Sequence, residues 1–343
     1  MTTPLVEERG KPETNGRGTL AIPHFNVPPL RADRQRHYTP WLVIRYDAGD
    51  YGGRPLPAGT VFWESPDVWV TSTLGVNQPV VGQPNSVFAR VSNFGLQQAN
   101  GVVVKFWWAD PSIAITESSA HLIGTGFAVV PAKRSVVVEC PRPWIPIEEN
   151  GGHECLLAEA YVPGFDPLAD PMDPVLDRHV GQKNETLVVV EPGGEFHLTL
   201  HTANIAPLRQ VVAIDVDAVT ARTLPQLFQR RNELREAALS PPASHLPLTI
   251  RAHGPSGRFV APSEAFARSL LTAMRAQIAG RTVRTRAPWI SRSVELEPWE
   301  ATTVEISGGV PHDAAIGQTF MFRVVQRIGL VVTGGYTIGV LVA

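Results

Sequence analysis

Four carboxylates are set between prolines in Asp166-Pro-Leu-Ala-Asp170-Pro-Met-Asp173-Pro-Val-Leu-Asp177. Proline at this spacing prevents a helix, so the four side chains are free to converge on one point instead of spreading round a cylinder. Ca²⁺ takes six to eight oxygens, and Asp166, Asp170, Asp173 and Asp177 with loop carbonyls are a candidate set for it. The spacing is not that of an EF-hand, and the competing reading is a solvated acidic loop whose Asp-Pro units simply form turns. No other cofactor is expected.

Nucleophilic chemistry has little to work with. No G-x-S-x-G elbow occurs, and Gly254-Pro-Ser-Gly257 reads as a turn. His153 and Cys155 sit two apart on a strand pattern, which points both the same way, with Cys155 facing inward beside Leu157. Gly124-Thr-Gly126 lacks the third glycine and the helix that a phosphate cradle needs. His197 and His201 are four apart, which on a strand is about 13 Å, too far to share one zinc. The sequence therefore reads as that of a protein that is not an enzyme.

Binding chemistry is better represented. In Val102-Val-Val-Lys-Phe-Trp-Trp108 alternation sends Val102, Val104, Phe106 and Trp108 to one face and Lys105 and Trp107 to the other. An outward Trp107 is able to stack on a sugar ring or anchor a protein interface, unless the N-terminal segment covers it. Trp63 and Trp69 are the neighbouring candidates. Residues 60–192 carry 7 Lys/Arg against 15 Asp/Glu, whereas residues 193–343 carry 15 against 11, and all 15 are Arg. Arg makes planar, paired contacts to carboxylates, so the basic half is expected to dock on the acidic half, within one chain or between subunits. Arg222, Arg230, Arg231 and Arg235 are the candidates there; without interleaved aromatics they do not point to nucleic acid.

The elements that must position these residues are mostly strands. Hydrophobic residues make up 43% of the 343-residue chain and charged residues 18%, a core-forming composition, with 31 Pro and 29 Gly to turn many short strands. The formal net charge of −2 gives no global pull toward nucleic acid or an anionic membrane. No run of about 18 apolar residues occurs, so no membrane-spanning helix is expected. Residues 1–19 lack the apolar core of a secretory signal peptide, and export would need another route or a processed precursor. The 2 cysteines, Cys140 and Cys155, read as buried free thiols, with pairing in an oxidising compartment as the alternative.

Residues 1–59 read as an extended arm, Pro-rich and basic toward its end, with a short strand candidate at Trp41–Tyr46. Asp67–Ser72, Ser86–Ser92, Val102–Trp108, Leu122–Val130, Ser135–Cys140, Glu154–Val162 and Glu185–Val190 follow as seven β-branched or aromatic runs bounded by turn residues, the number expected of one immunoglobulin-like sandwich over 60–192. After the strands Glu195–His201 and Val211–Val216, helical periodicity appears at 223–238 and again at 262–280, with Leu248–Ala252 as a strand between. Strand patterns return after Trp289. The fold class is mainly β: one sandwich, then a second at 193–343 with a helical insertion near 220–280, or alternatively an α+β domain.

Ordered blocks carry a family resemblance. Trp63-Glu-Ser-Pro-Asp-Val-Trp69, Gly82-Gln-Pro-Asn-Ser86, Val87-Phe-Ala-Arg-Val-Ser-Asn-Phe-Gly95, Val102–Trp108, Ile123-Gly-Thr125 and His153-Glu-Cys-Leu-Leu-Ala158 resemble bacterial CARDB-type (cell-adhesion-related) immunoglobulin-like domains. The resemblance covers residues 63–192. Glu295–Val304, Val310–Gly317 and Gly334–Val340 are similar, more weakly, to the closing strands of another bacterial immunoglobulin-like domain. This resemblance implies a secreted, surface or appendage-associated module. The expected function is that of a structural or binding protein of an extracellular, surface or phage-tail-like assembly, with protein partners and a homo- or hetero-oligomeric state. The alternative is a carbohydrate- or peptide-binding accessory protein of a secreted hydrolase, with a glycan or peptide as ligand.

Overall fold

The computed structural model describes residues 39–109, 115, 120–147, 155–204, 206–219, 246–258, 290–329 and 331–343. Among these residues the regular structure is all strand. Both helices expected within 220–280 lie outside the described residues, as do Arg222, Arg230, Arg231 and Arg235.

The first nine strands are β1 (Leu42–Val43), β2 (Val68–Ser72), β3 (Gly75–Val76), β4 (Ser86–Asn93), β5 (Ala99–Ala109), β6 (Ala120–Val130), β7 (Ser135–Glu139), β8 (Cys155–Tyr161) and β9 (Val180–Lys183). In one sheet β4 is central, with β7 on one side and β2 and β1 end to end on the other, and β3 folds back on β2. The facing sheet has the order β6-β5-β8-β9, antiparallel throughout. Val68, Val70, Val87, Ala89 and Val91 of the first sheet share one core with Val102, Val104, Phe106, Leu156, Ala158 and Ala160 of the second. Burying one face of each strand is what the alternation demands. The pleat slips at a bulge, where the register passes from Phe106 opposite Gly124 to Trp107 opposite Leu122 and leaves Ile123 as the extra residue. On this flank a Cβ on Gly126 would stand 3.1 Å from Val138 Cγ1, so glycine lets the two sheets close together where β6 passes β7.

The segment up to residue 59 is not an arm throughout. Trp41 is buried, Leu42 and Ile44 join the first core, and β1 pairs with the end of β4. Ordering a buried apolar run of this kind is favoured by the area it removes from water, which a solvated arm would forgo.

The remaining strands are β10 (Glu185–Val190), β11 (Glu195–Ala203), β12 (Gln210–Ala218), β13 (Leu248–Arg258), β14 (Ile290–Leu296), β15 (Glu300–Gly309), β16 (Thr319–Ile328) and β17 (Val331–Val342). They form a five-stranded sheet in the order β10-β17-β16-β12-β14 facing a three-stranded one in the order β11-β15-β13. Leu198, Leu200, Val304 and Ile306 from the small sheet and Ile214, Phe322, Val324, Ile338 and Val340 from the large one meet in a second core. Expected to close the first set of strands, β10 instead pairs in parallel with β17 from Glu185 opposite Thr337 to Val190 opposite Val342. Only Asn184 separates β9 from β10, so the chain passes from one sheet pair to the other with almost no linker.

Candidate functional site

Three polar or aromatic constellations stand out, and the first lies where the two sheet pairs meet. Trp63 is fully buried, its Nε1 donating to Thr337 Oγ1 at 3.2 Å. Next to it, Glu64 accepts two hydrogen bonds from Arg323, from Nε at 2.6 Å and Nη2 at 2.8 Å, and a third from the Thr337 hydroxyl. Asn184 ties the crossing point: its Nδ2 donates to Gly335 O at 3.2 Å, its backbone N–H to Trp63 O at 2.8 Å, and its carbonyl accepts from Thr337 N at 3.1 Å. Leu56, Phe62, Val175, Val325 and Val332 surround the indole, so residues of both sheet pairs share this small core. A desolvated, paired Arg–carboxylate contact is directional and holds its two sides in one geometry.

The second constellation is the Asp166–Asp177 segment, and it departs from a converging carboxylate cage. Asp166 accepts from Leu42 N at 2.7 Å and from the Arg178 guanidinium. Asp177 accepts from the backbone amides of Ala169, Asp170 and His179. Asp173 Oδ1 caps the amides of Val175 and Leu176. Among the described residues no three His, Cys, Asp or Glu side chains come together as a metal site. Carboxylates already committed to N–H donors do not point at a common centre, and this geometry gives the calcium expectation no support.

Just past the end of this segment, His179 is buried between two of its carboxylates, with Nδ1 2.6 Å from Asp177 Oδ1 and Nε2 3.3 Å from Asp166 Oδ2. Burial works against the imidazolium, but the two carboxylates outweigh it and raise the His179 pKa above its ordinary value. Burial likewise opposes the Asp177 carboxylate, yet His179 and the backbone amides hold it well below the usual range. Asp173 goes the other way: burial pushes its carboxyl up to about 6 in spite of the two amides it caps. Arg178 completes the group by stacking over Trp41, 3.7 Å from the ring centroid, and its carbonyl accepts from Ile44 N at 3.0 Å. The acidic segment is thus a strap that pins β1 to the body.

The third constellation is the outer face of the β6-β5-β8-β9 sheet. Trp107 does point outward, but it is half-buried and packs with Ile115, Leu157, Leu168 and Met172. Among the described residues the cover comes from Leu168 and Met172 of the acidic strap and from Ile115. Trp107 Nε1 donates to Glu159 Oε2 at 3.1 Å, and the other oxygen of this buried carboxylate accepts from Met172 N at 3.0 Å. Lys105 Nζ lies 5.6 Å from the Trp107 ring and 5.8 Å from Tyr161, within cation–π range of both. Trp69 is buried on the opposite sheet, stacked on Phe88 at 5.5 Å with Arg90 above it. Trp63, Trp69 and Trp107 are therefore three separate packing anchors and do not form one aromatic platform.

Cys140 and Cys155 are both free and buried. Burial pushes the Cys155 thiol well above its ordinary pKa, which withholds the thiolate that nucleophilic chemistry requires. His153 lies outside the described residues. Arg323, Thr337, Asn184 and His179 escaped the sequence reading because no motif marks them. The one available signal was the tripeptide Asp177-Arg178-His179, three ionisable groups in a row at the start of a strand.

No family model matches the chain, and no curated protein matches it. Comparison of folds finds distant likenesses, among them the following. A family 123 glycoside hydrolase from Clostridium perfringens is 12% identical with a TM-score of 0.23, over 47% of this chain and 23% of that one. Red sea bream transglutaminase is 11% identical with a TM-score of 0.20, over 80% of this chain and 31% of that one. The CupB6 tip adhesin from Pseudomonas aeruginosa is 9% identical with a TM-score of 0.19, over 90% of this chain and 99% of that one. The chain thus spans less than a third of the length of the first two.

Proposed function

We propose that the protein is a non-catalytic structural and binding protein: two immunoglobulin-like sandwiches held as one stiff unit, acting through protein–protein contacts in an extracellular, surface or phage-tail-like assembly. The immunoglobulin-like reading is supported by strand order. With β2, β4 and β7 as strands A, B and E and β5, β8 and β9 as C, F and G, the first sheet pair has the two-sheet order of that fold, β6 being an added C′ strand. It is also consistent with the CARDB-type resemblance of residues 63–192.

The observation that carries the stiff-unit reading is the joint of Trp63 and Glu64 with Arg323 and Thr337. Modules that swing freely are joined by exposed linkers with few crossing contacts. Here a single residue separates the strands, and a buried indole and a paired Arg–carboxylate cross the gap.

Distance measurement between two spin labels tests this, one replacing exposed Gln98 and the other exposed Ile316. Both native thiols are buried and will not compete for the label. A single narrow distribution is expected, broadening when Arg323→Ala is added. A broad distribution in the otherwise unaltered protein would refute the stiff-unit reading.

A further inference from the structure

We propose that β6 and β7 form a two-fold interface with a second copy of this chain, in which both sheets of the first pair continue across the contact. The inference deepens the binding reading above by naming the partner, and it rests on that reading for its relevance. Among the described residues β6 pairs with β5 alone and β7 with β4 alone, so each ends its sheet, and Gly126 beside Val138 puts both ends on one flank. The side chains bordering that edge are apolar and open, with Phe127 73%, Leu122 51% and Val129 50% exposed on the outer face of the one sheet and Val137 48% on that of the other.

Edge strands are normally guarded against pairing by charges, by proline or by being very short. The run Ala120–Val130 has none of these guards, being 11 residues long with no charged residue and no proline, and its bulge at Ile123 leaves Gly124–Ala128 in regular register. Its backbone is a template for another strand, and an uncharged strand is the partner it repels least. A second copy supplies one, since a two-fold contact sets the same patch against itself.

Charge on β7 favours this occupant and fixes its direction. The strand begins just after exposed Lys133 and Arg134 and ends at exposed Glu139. A two-fold axis perpendicular to the sheets makes β7 antiparallel to its counterpart. Each copy's Glu139 then lies beside the other's Lys133–Arg134 turn, giving two opposite-charge pairs at the rim of an apolar strip.

Sedimentation equilibrium of the full chain over a range of concentrations tests the proposal. The expected result is a reversible approach to twice the 37.3 kDa monomer mass, accompanied by slower amide exchange across residues 120–130. Phe127→Lys and Arg134→Glu, both at exposed positions, should each weaken the dimer roughly tenfold or more, and adding Glu139→Arg to Arg134→Glu should restore it. A chain that stays at 37.3 kDa at every concentration overturns the proposal. So does a dimer indifferent to Phe127→Lys and Arg134→Glu, because its contact lies elsewhere; in that case the protein-binding reading itself still stands.

Discussion

Arg323 grips Glu64 through two parallel hydrogen bonds of 2.6 and 2.8 Å, reaching from β16 to a residue of the first sheet pair that bridges to Lys183 just ahead of β2. Both side chains are largely buried, so removing one leaves the other charged and uncompensated. Glu64→Ala is expected to lower stability by about 3 kcal/mol, where an exposed pair would cost less than 1. Denaturant unfolding of Glu64→Ala, Arg323→Ala and the double variant gives the coupling. A coupling energy near zero would show that the two side chains do not act as a pair.

Gly335 faces the Trp63 ring so closely that an added Cβ would stand 2.2 Å from Cζ2. Gly335→Ala should therefore force the indole out of its seat at a cost of about 2 kcal/mol. Trp63→Ala should cost more, about 3–5 kcal/mol, because it empties a buried site. Combining Gly335→Ala with Trp63→Phe should cost less than the sum of the two. Strict additivity would mean the clash is relieved elsewhere.

His179 predicts a pH window for stability. Its pKa is raised in the folded protein, so its contribution is complete below the ordinary imidazole value of 6.5 and is lost as pH rises through the raised value. The Asp177 pKa is depressed, so its share is complete above the ordinary 3.8 and is lost as pH falls through the lower folded value. The stability difference between the unaltered protein and His179→Gln should be greatest between about pH 4 and 6.5 and shrink on either side. Asp166 and Arg178 also face the ring and set the size of the effect. A difference that grows steadily from pH 6 to 9 would contradict a charged His179.

Asp173 predicts the reverse slope. With its carboxyl pushed up to about 6, the folded protein must ionise a buried acid at neutral pH, and this group's cost rises between pH 3.8 and about 6. Asp173→Asn keeps the acceptor oxygen for Val175 N and Leu176 N while removing the charge. It should stabilise the protein at pH 8 by on the order of 1 kcal/mol and leave it unchanged near pH 3. Thermal melts at the two pH values make the comparison, and a variant less stable at pH 8 would mean that the charge itself is needed.

Period-two alternation made most strands legible, because a strand with one buried face has to write that face into every second residue. Val102, Val104 and Phe106 inward with Lys105 outward needed no structure. The turn-bounded β-branched runs likewise fixed the mainly β class. Pairing partners were beyond its reach: Glu185–Val190 reads as a strand whichever sheet it enters, and only the fold sets it beside β17.

The fate of the carboxylates was equally hidden. Asp166, Asp173 and Asp177 are acceptors, and a sequence does not say whether amides, a histidine or a metal ion will satisfy them. The fold chose amides, Arg178 and His179. Trp63 shows the same division most clearly. As one more aromatic before a strand it invited a surface role, whereas its actual seat depends on Gly335 and Thr337, more than 270 residues further along the chain. Local pattern is a property of neighbouring residues and is written into them; burial between distant strands is a property of the packed chain, and only tertiary structure decides it.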